Sequence, residues 1–431
     1  MIGTRTPIAL LAGFWLLVPA LAADAAEVTR VLTARSLKDF DIDVSLDWQH
    51  DSSRASIKRE LVQATGTAVV NDLVHHQVRD SMQLRGEVGL IRDLSFVLAG
   101  SFVLGDRRGL DFDRSGDCAA VPCLETLLRD DILPGTQGIS WGLDAEHGGA
   151  AFTPPSGQVF RGPDRSGFEY LGLGLRWAAM NQARDNTKPT WTVGLETRLS
   201  VADDQRFDPG KPTANRSVGA GYHQIIVTTM FSRRFGDVEP TMGGFFMQPE
   251  LTASSVYKNV GTGSFASPQR RTGGELGIEG TVWEDPALHA RFALEASGRF
   301  EYRFEGLAQS ELWEALSGDS RCATDTSHCR PGIDVDSKGN LAPNAGIVRS
   351  PAYGLIGGDA GLSAHIGRHA RLRSLFGMLF EEAHFLTDAA SGNSVSDIPG
   401  RRFRVYDIPG NRFRVEGQHS WHVLVDAAAT F

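Results

Sequence analysis

Four aspartates mark the first regular stretch of the chain. Asp39, Asp41, Asp43 and Asp47 share one set of alternate positions, interrupted by Ser45, and Phe40, Ile42, Val44, Leu46 and Trp48 fall between them. Carboxylates stacked on one face of a strand concentrate negative potential. Along a water-filled passage they favour cations and polar neutral solutes. Charged faces of mixed sign recur further on. Arg79, Arg85 and Glu87 share a face of 78–90, and Glu275 and Glu279 share a face of 273–284. Arg291, Glu295, Arg299, Glu301 and Arg303 do the same within 288–304. Like charges stacked along a strand repel, so partners of opposite sign are expected across the ladder. Such faces either filter solutes in an open pore or fill a narrow lumen with ion pairs.

Other residue types with chemical potential lead less far. Cys118 lies close to Cys123, and Cys322 to Cys329. Four cysteines allow three pairings. Local pairing is the economical expectation in an oxidising compartment, where each short ring would staple a long loop. Their spacings do not suit tetrahedral zinc, and His328 is the only histidine nearby. Asp111-x-Asp113-x-Ser115-Gly116 and Asp334-x-Asp336-x-Lys338-Gly339 are fragments of a calcium-loop pattern. The first lacks the closing Glu and the second sets Lys338 at a ligand position, so both read as solvated acidic turns. No metal or cofactor is expected. His223 faces outward in one register of its strand, but spacing places no serine beside it. With no compact nucleophile motif elsewhere, catalysis is not expected.

The elements that must position these residues are strands. Alternation marks about twelve, near 39–48, 78–90, 94–104, 168–180, 190–202, 219–233, 241–252, 273–284, 288–304, 352–366, 371–386 and 418–431. The 241–252 segment is apolar but irregular. Connections alternate in length. Arg92-Asp93, 181–189, Gly236 to Pro240, Glu284 to Pro286 and Gly367 to His369 are short. Between them fall 49–77, 105–167, 203–218, 253–272, 305–351 and 387–417, which are longer. A soluble sandwich gives no reason for that parity. An up-and-down barrel does, with both termini on the side of the short turns. A hairpin hidden in a long loop, with 139–143 as the candidate, would raise the count to fourteen.

Both ends of the chain agree with this plan. Arg5, the apolar run Ile8 to Val18 and Ala20-Leu21-Ala22 form a secretory signal peptide over 1–22. A short periplasmic segment, 23–38, leads into a barrel over 39–431. No later stretch reaches the roughly 18 apolar residues of a spanning helix. At the other end Trp421, Val423, Val425, Ala427 and Ala429 alternate with mostly polar residues up to the terminal Phe431. This pattern resembles the C-terminal assembly signal of bacterial outer-membrane β-barrel proteins. The resemblance covers the mature chain, though its motifs are generic. It implies an all-β, transmembrane, antiparallel up-and-down barrel in a Gram-negative outer membrane. The implied partners are outer-membrane lipid, lipopolysaccharide and the barrel-assembly machinery. Trp421, Val423, Val425 and Phe431 become the residues of closure and assembly.

Composition is compatible with that class. Hydrophobic residues make up 41% and there are 48 glycines, as in strands greasy on one face and bent around a curved wall. A formal charge of −9 argues against nucleic acid. A ten-residue unit is duplicated in tandem at Asp397 and Asp407, bringing Arg402, Arg404, Arg412 and Arg414 near the outer surface. A lengthened loop with solvated arginines is favoured there over contact with anionic polysaccharide. With no long N-terminal region to fold as a plug, an energised receptor is not expected. The reading adopted is a narrow porin-like channel for small polar or cationic solutes. The alternative is a non-conducting scaffold or surface-display component for secretion, surface motility or adhesion. It would engage envelope protein partners through the 105–167 and 305–351 loops. Its mark would be a lumen blocked by side chains or by an inward-folded loop.

Overall fold

The computed structural model describes residues 40–63, 66–91, 93–113, 158–205, 216–258, 267–312, 347–367, 369–386 and 412–431. The segments 1–22 and 23–38, Asp39, all four cysteines, 139–143, 334–339, Arg402 and Arg404 lie outside them. The strands are Ile42–Gln63 (β1), Gly66–Ile91 (β2), Leu94–Phe112 (β3), Gln158–Arg161 (β4), Arg165–Met180 (β5) and Thr190–Ser200 (β6). Next come Tyr222–Ser232 (β7), Val238–Leu251 (β8), Arg271–Asp285 (β9), Ala290–Arg303 (β10) and Gly306–Gln309 (β11). Ile347–Ser350 (β12), Tyr353–Ile366 (β13), Ala370–Glu381 (β14), His384–Phe385 (β15) and Phe413–Thr430 (β16) complete the set.

Twelve of these form a closed antiparallel ring in the order β1-β2-β3-β5-β6-β7-β8-β9-β10-β13-β14-β16. Pairing of β16 with β1, from Asp43↔Thr430 to Arg59↔Phe413, shuts it. Closure leaves no edge of unpaired N–H and C=O groups, the condition for crossing a bilayer with strands. Each of the twelve strands exposes large apolar side chains, among them Leu84, Leu195, Leu276 and Ile356. The residues alternating with them are buried or half-buried. The protein is thus inside-out relative to a soluble domain, with apolar groups outside and polar ones within. Short connections gather at one end with Phe40 and Phe431, the first and last described residues. There Asp93, Gly236, His289 and Gly367 hold the left-handed φ that tight turns need.

Two expected boundaries are corrected, and one expected strand of irregular pattern is explained. The 49–77 segment is not a long loop, because β1 and β2 stay paired through Gln63↔Gly66. Beyond the apolar band no lipid demands an apolar outer face, so the outward alternation fades while backbone pairing continues. Inward positions still pack, and Ala55, Ile57, Leu73, Leu110 and Phe413 are all fully buried. The irregular 241–252 segment belongs to a regular strand, β8. Its pattern is blurred because Phe245 and Met247 make the inward face apolar too, in a cluster with Ile226. The other corrected boundary is 412–415 of the second repeat copy, which is wall rather than loop. Phe413 and Val415 are buried, and Arg412 donates to Glu60 at 2.7 and 2.8 Å. Arg414 meets Glu416 at 3.0 Å.

Candidate functional site: the lumen and its outer mouth

The charged faces lie on the buried side of the wall. Asp41, Asp43 and Asp47 are half-buried, and the Thr430 hydroxyl donates to Asp43 at 2.7 Å. Arg79 donates to Glu169 at 2.8 Å, and Arg85 to Glu196 at 3.2 Å. Glu87 accepts from Ser95 at 2.5 Å and pairs with Arg176 at 3.4 Å. Arg291 pairs with Glu279. Glu295 accepts from Arg373 at 2.6 Å, and Glu301 from Arg303 at 2.9 Å. Arg299 stands 3.4 Å from the His422 ring, which in turn bonds Asp359 at 2.6 Å. Glu275 shares a small side cavity with Asp359 and Arg373. Several pairs skip a strand, as Arg79 on β2 and Glu169 on β5 do, so they bridge across the curved interior. Each joins a desolvated cation to a desolvated anion, and leaving either one alone would cost about 3–5 kcal/mol.

Many of these partners are absent from the sequence reading. Glu169, Arg176 and Asp359 each stand among glycines, aromatic and apolar residues with no charged run to flag them, Glu196 lies two residues from Arg198, and Arg373 closes a basic stretch with Arg368, His369 and Arg371. A parity signal existed for some. Arg373 falls on the positions that alternate with the exposed Leu372 and Phe376, the face turned away from lipid. Trp421, Val423, Val425 and Phe431 fall on the opposite, outer face of β16, with Phe431 73% exposed.

The outer mouth is crossed by a strap. Beyond β10 the chain turns inward through Gly306–Gln309, which pairs with Ile347–Ser350, and continues to Leu312. The Leu307 N–H donates to Ser267 O at 2.9 Å, and the Gln309 amide donates to Gln205 O at 2.7 Å. Glu311 then pairs with Arg108 on β3 and lies 3.4 Å from His75 on β2. In the ring β10 is ninth and β3 third, so the strap spans the diameter. Arg108 also donates to the buried Asp106 at 2.7 Å. Burial pushes the Glu311 carboxyl up, but Arg108 and His75 outweigh it and hold it well below the usual carboxylate range.

Beneath the strap lies a cavity of about 280 Å³. Five arginines and four carboxylates line it, with glutamine amides and tyrosines between them. Tyr222 and Tyr257 meet edge to face, with ring centres 5.9 Å apart. Tyr353 stacks on His384 at 3.9 Å and accepts from Arg303 at 2.9 Å. Burial pushes the His384 imidazole down to about 4. Such a lining offers donors and acceptors in every direction without a field of one sign. Among the described residues no cluster of His, Cys, Asp or Glu forms a metal site.

No protein-family model matches the sequence, and no curated protein matches it. Among solved structures, outer membrane proteins of low similarity are found. An outer membrane channel from Pseudomonas putida F1 is 10% identical, with a TM-score of 0.40 over 95% of this chain and 100% of that one. A Pseudomonas aeruginosa FadL homologue is 9% identical, with a TM-score of 0.31 over 92% and 90%. The outer membrane protease OmpT of Escherichia coli is 9% identical, with a TM-score of 0.28 over 93% and 100%. Likeness at this level does not extend to activity.

Proposed function

We propose that this chain is an integral outer-membrane barrel acting as a narrow channel for small polar solutes, restricted at its outer mouth by the strap. Membrane insertion is supported by closure of the ring and by the exposed apolar band, which water would penalise. Trp48 and Trp421 at the outer margin, and Trp177 and Trp283 toward the short turns, suit the aromatic girdles of such barrels. Lipopolysaccharide around the outer wall and the assembly machinery at Phe431 are the partners this reading implies.

The observation that carries the channel reading is the polar cavity beneath the strap, lined by near-balanced charge. That balance favours neutral polar cargo over the cations suggested by the aspartates, since arginines equal or exceed carboxylates there. Planar-bilayer recording of the reconstituted chain tests it. Small discrete conductance steps are expected, enlarged by Glu311→Gln. Silence of both proteins across voltage and salt would defeat the channel reading. The scaffold reading is favoured by one feature, the ion pairs that crowd the lumen. It expects that silence, together with loss of a co-purifying envelope partner when 105–167 and 305–351 are deleted.

A further inference from the structure

We infer that Arg108 and His75 form a seat for a carboxylate, that Glu311 of the strap fills it as a built-in ligand, and that the solute taken up at the outer mouth is a small monocarboxylate that replaces Glu311 there. The inference rests on reading the cavity beneath the strap as the solute site, and it narrows the chemistry of that solute.

The seat is held by the wall. Asp106 is almost fully buried and accepts from the Gln77 amide at 2.9 Å. It also accepts from Arg108, from Nε at 3.1 Å and from Nη2 at 2.7 Å. Those bonds fix the guanidinium and leave Nη1 for Glu311. Glu311 Oε1 pairs with that Nη1, and Oε2 lies 3.4 Å from His75 Nε2 on the neighbouring strand. A carboxylate there favours the tautomer with its proton on Nε2. Each oxygen thus faces a donor of its own, which recognises a carboxylate and not merely a charge. A carboxamide would turn its NH₂ toward one of the two donors. His75 Nε2 is buried and makes no hydrogen bond among the described residues, so a ligand carboxylate has room to approach it more closely than Glu311 does.

Glu311 is the carboxylate of this lining that sits on a separable piece. Arg79, Arg198 and Arg303 draw theirs from the wall, from Glu169, Glu196 and Glu301. The root of the strap is packed, with Leu307 against Val256, Tyr257 and Ile347. Four residues on, Glu311 reaches β2 and β3. Turning its side chain, or the strap tip, vacates the seat without disturbing the wall.

Charge decides which solute can take the place. With Glu311 seated, five arginines face four carboxylates. With Glu311 withdrawn, Asp51, Glu169 and Glu381 remain, which is three. An entering monocarboxylate restores the near balance. A sugar leaves the excess of desolvated positive charge, and a cation adds to it. Ile57, Val218 and Leu312 line the same space and suit an apolar body behind the carboxylate. The cavity of about 280 Å³ has room for roughly ten non-hydrogen atoms at about 30 Å³ each. Neither residue of the seat stood out in the sequence, because His75 falls in 49–77 and Arg108 in 105–167, both expected as loops.

Glu311 competes from within the chain at high effective concentration, so its removal should strengthen binding of a free carboxylate. Calorimetric titration of the purified full chain in detergent, at neutral pH and low salt, tests this with benzoate and propionate, each against its carboxamide. Both carboxylates should bind Glu311→Gln about tenfold or more tighter than the unmodified chain. Benzamide and propionamide should bind both proteins more weakly than the acids, with no gain from the substitution. Arg108→Met should abolish carboxylate binding, and if that variant does not fold the amide comparison and Glu311→Gln still decide. Acid and amide binding alike, no carboxylate binding to either protein, or an affinity unmoved by Glu311→Gln would overturn the seat. Bilayer recording separates this from the channel reading. Conductance steps without carboxylate binding would keep the channel and remove the seat, and binding without steps would do the reverse.

Discussion

Ile42 and Phe431 join the start of β1 to the residue after β16 by a reciprocal pair of backbone hydrogen bonds. The Phe431 N–H donates to Ile42 O at 2.8 Å, and the Ile42 N–H donates to Phe431 O at 3.1 Å. The aromatic ring projects outward and touches little of the protein. Deleting Phe431 therefore removes two seam bonds at the end where the seam starts. The expected result is slower closure and a lower yield of heat-modifiable, folded barrel on electrophoresis. Phe431→Ala keeps both bonds, so its defect reads the ring alone. Wild-type folded yield for both variants would show that neither matters.

The strap should open in acid. Arg108 and His75 hold Glu311 well below the usual carboxylate range, so its contribution to closure is full above that range. It is lost as the pH falls through the depressed value and the carboxyl takes a proton. Conductance should accordingly rise in acid below the ordinary carboxylate range. In Glu311→Gln conductance should already be high at neutral pH, and this acid step should be absent. A retained acid step in that variant would assign it to another group.

His384 predicts a second, separate pH window. Its imidazole is buried beside Tyr353 and titrates near 4 when folded, against 6.5 unperturbed. The folded state thus excludes a proton that the unfolded chain binds. Stability of the outer mouth is complete above about 6.5, declines as pH falls toward 4, and levels off below. The full loss is at most about 3 kcal/mol, from 1.36 kcal/mol per unit. Urea unfolding at pH 7 and pH 4.5 should differ in midpoint, and His384→Phe should erase most of that difference.

A lumen ion pair should behave as a unit. Arg79→Met leaves Glu169 desolvated beside Ser101 and should destabilise by about 3–5 kcal/mol. Arg79→Met combined with Glu169→Leu should recover most of that loss, since a buried pair can be exchanged for apolar packing. Additive losses across the cycle would show the two residues act apart.

Much of the wall was legible because a bilayer imposes a local rule. Phe40 to Trp48 and Trp421 to Phe431 alternate wherever lipid lies on one side and water or protein on the other. Where lipid ends, legibility ends with it. Residues 49–63 continue β1 without an apolar outer face, and β8 hides its period because Phe245 and Met247 fill the interior. The second copy of the tandem repeat reads as a loop until Phe413 is found fully buried in the wall.

The sequence by itself determined a closed, antiparallel, lipid-facing barrel with both ends on the side of the short turns. Period two, turn residues and loop lengths are properties of neighbours along the chain. The tertiary structure alone decided which groups meet. Arg79 finds Glu169, His50 finds Asp80, and Glu311 crosses the mouth to reach Arg108. These contacts depend on register between strands and on curvature that brings non-neighbouring strands together. Alternation is the same for every even shift of register, so no periodicity in the chain encodes them.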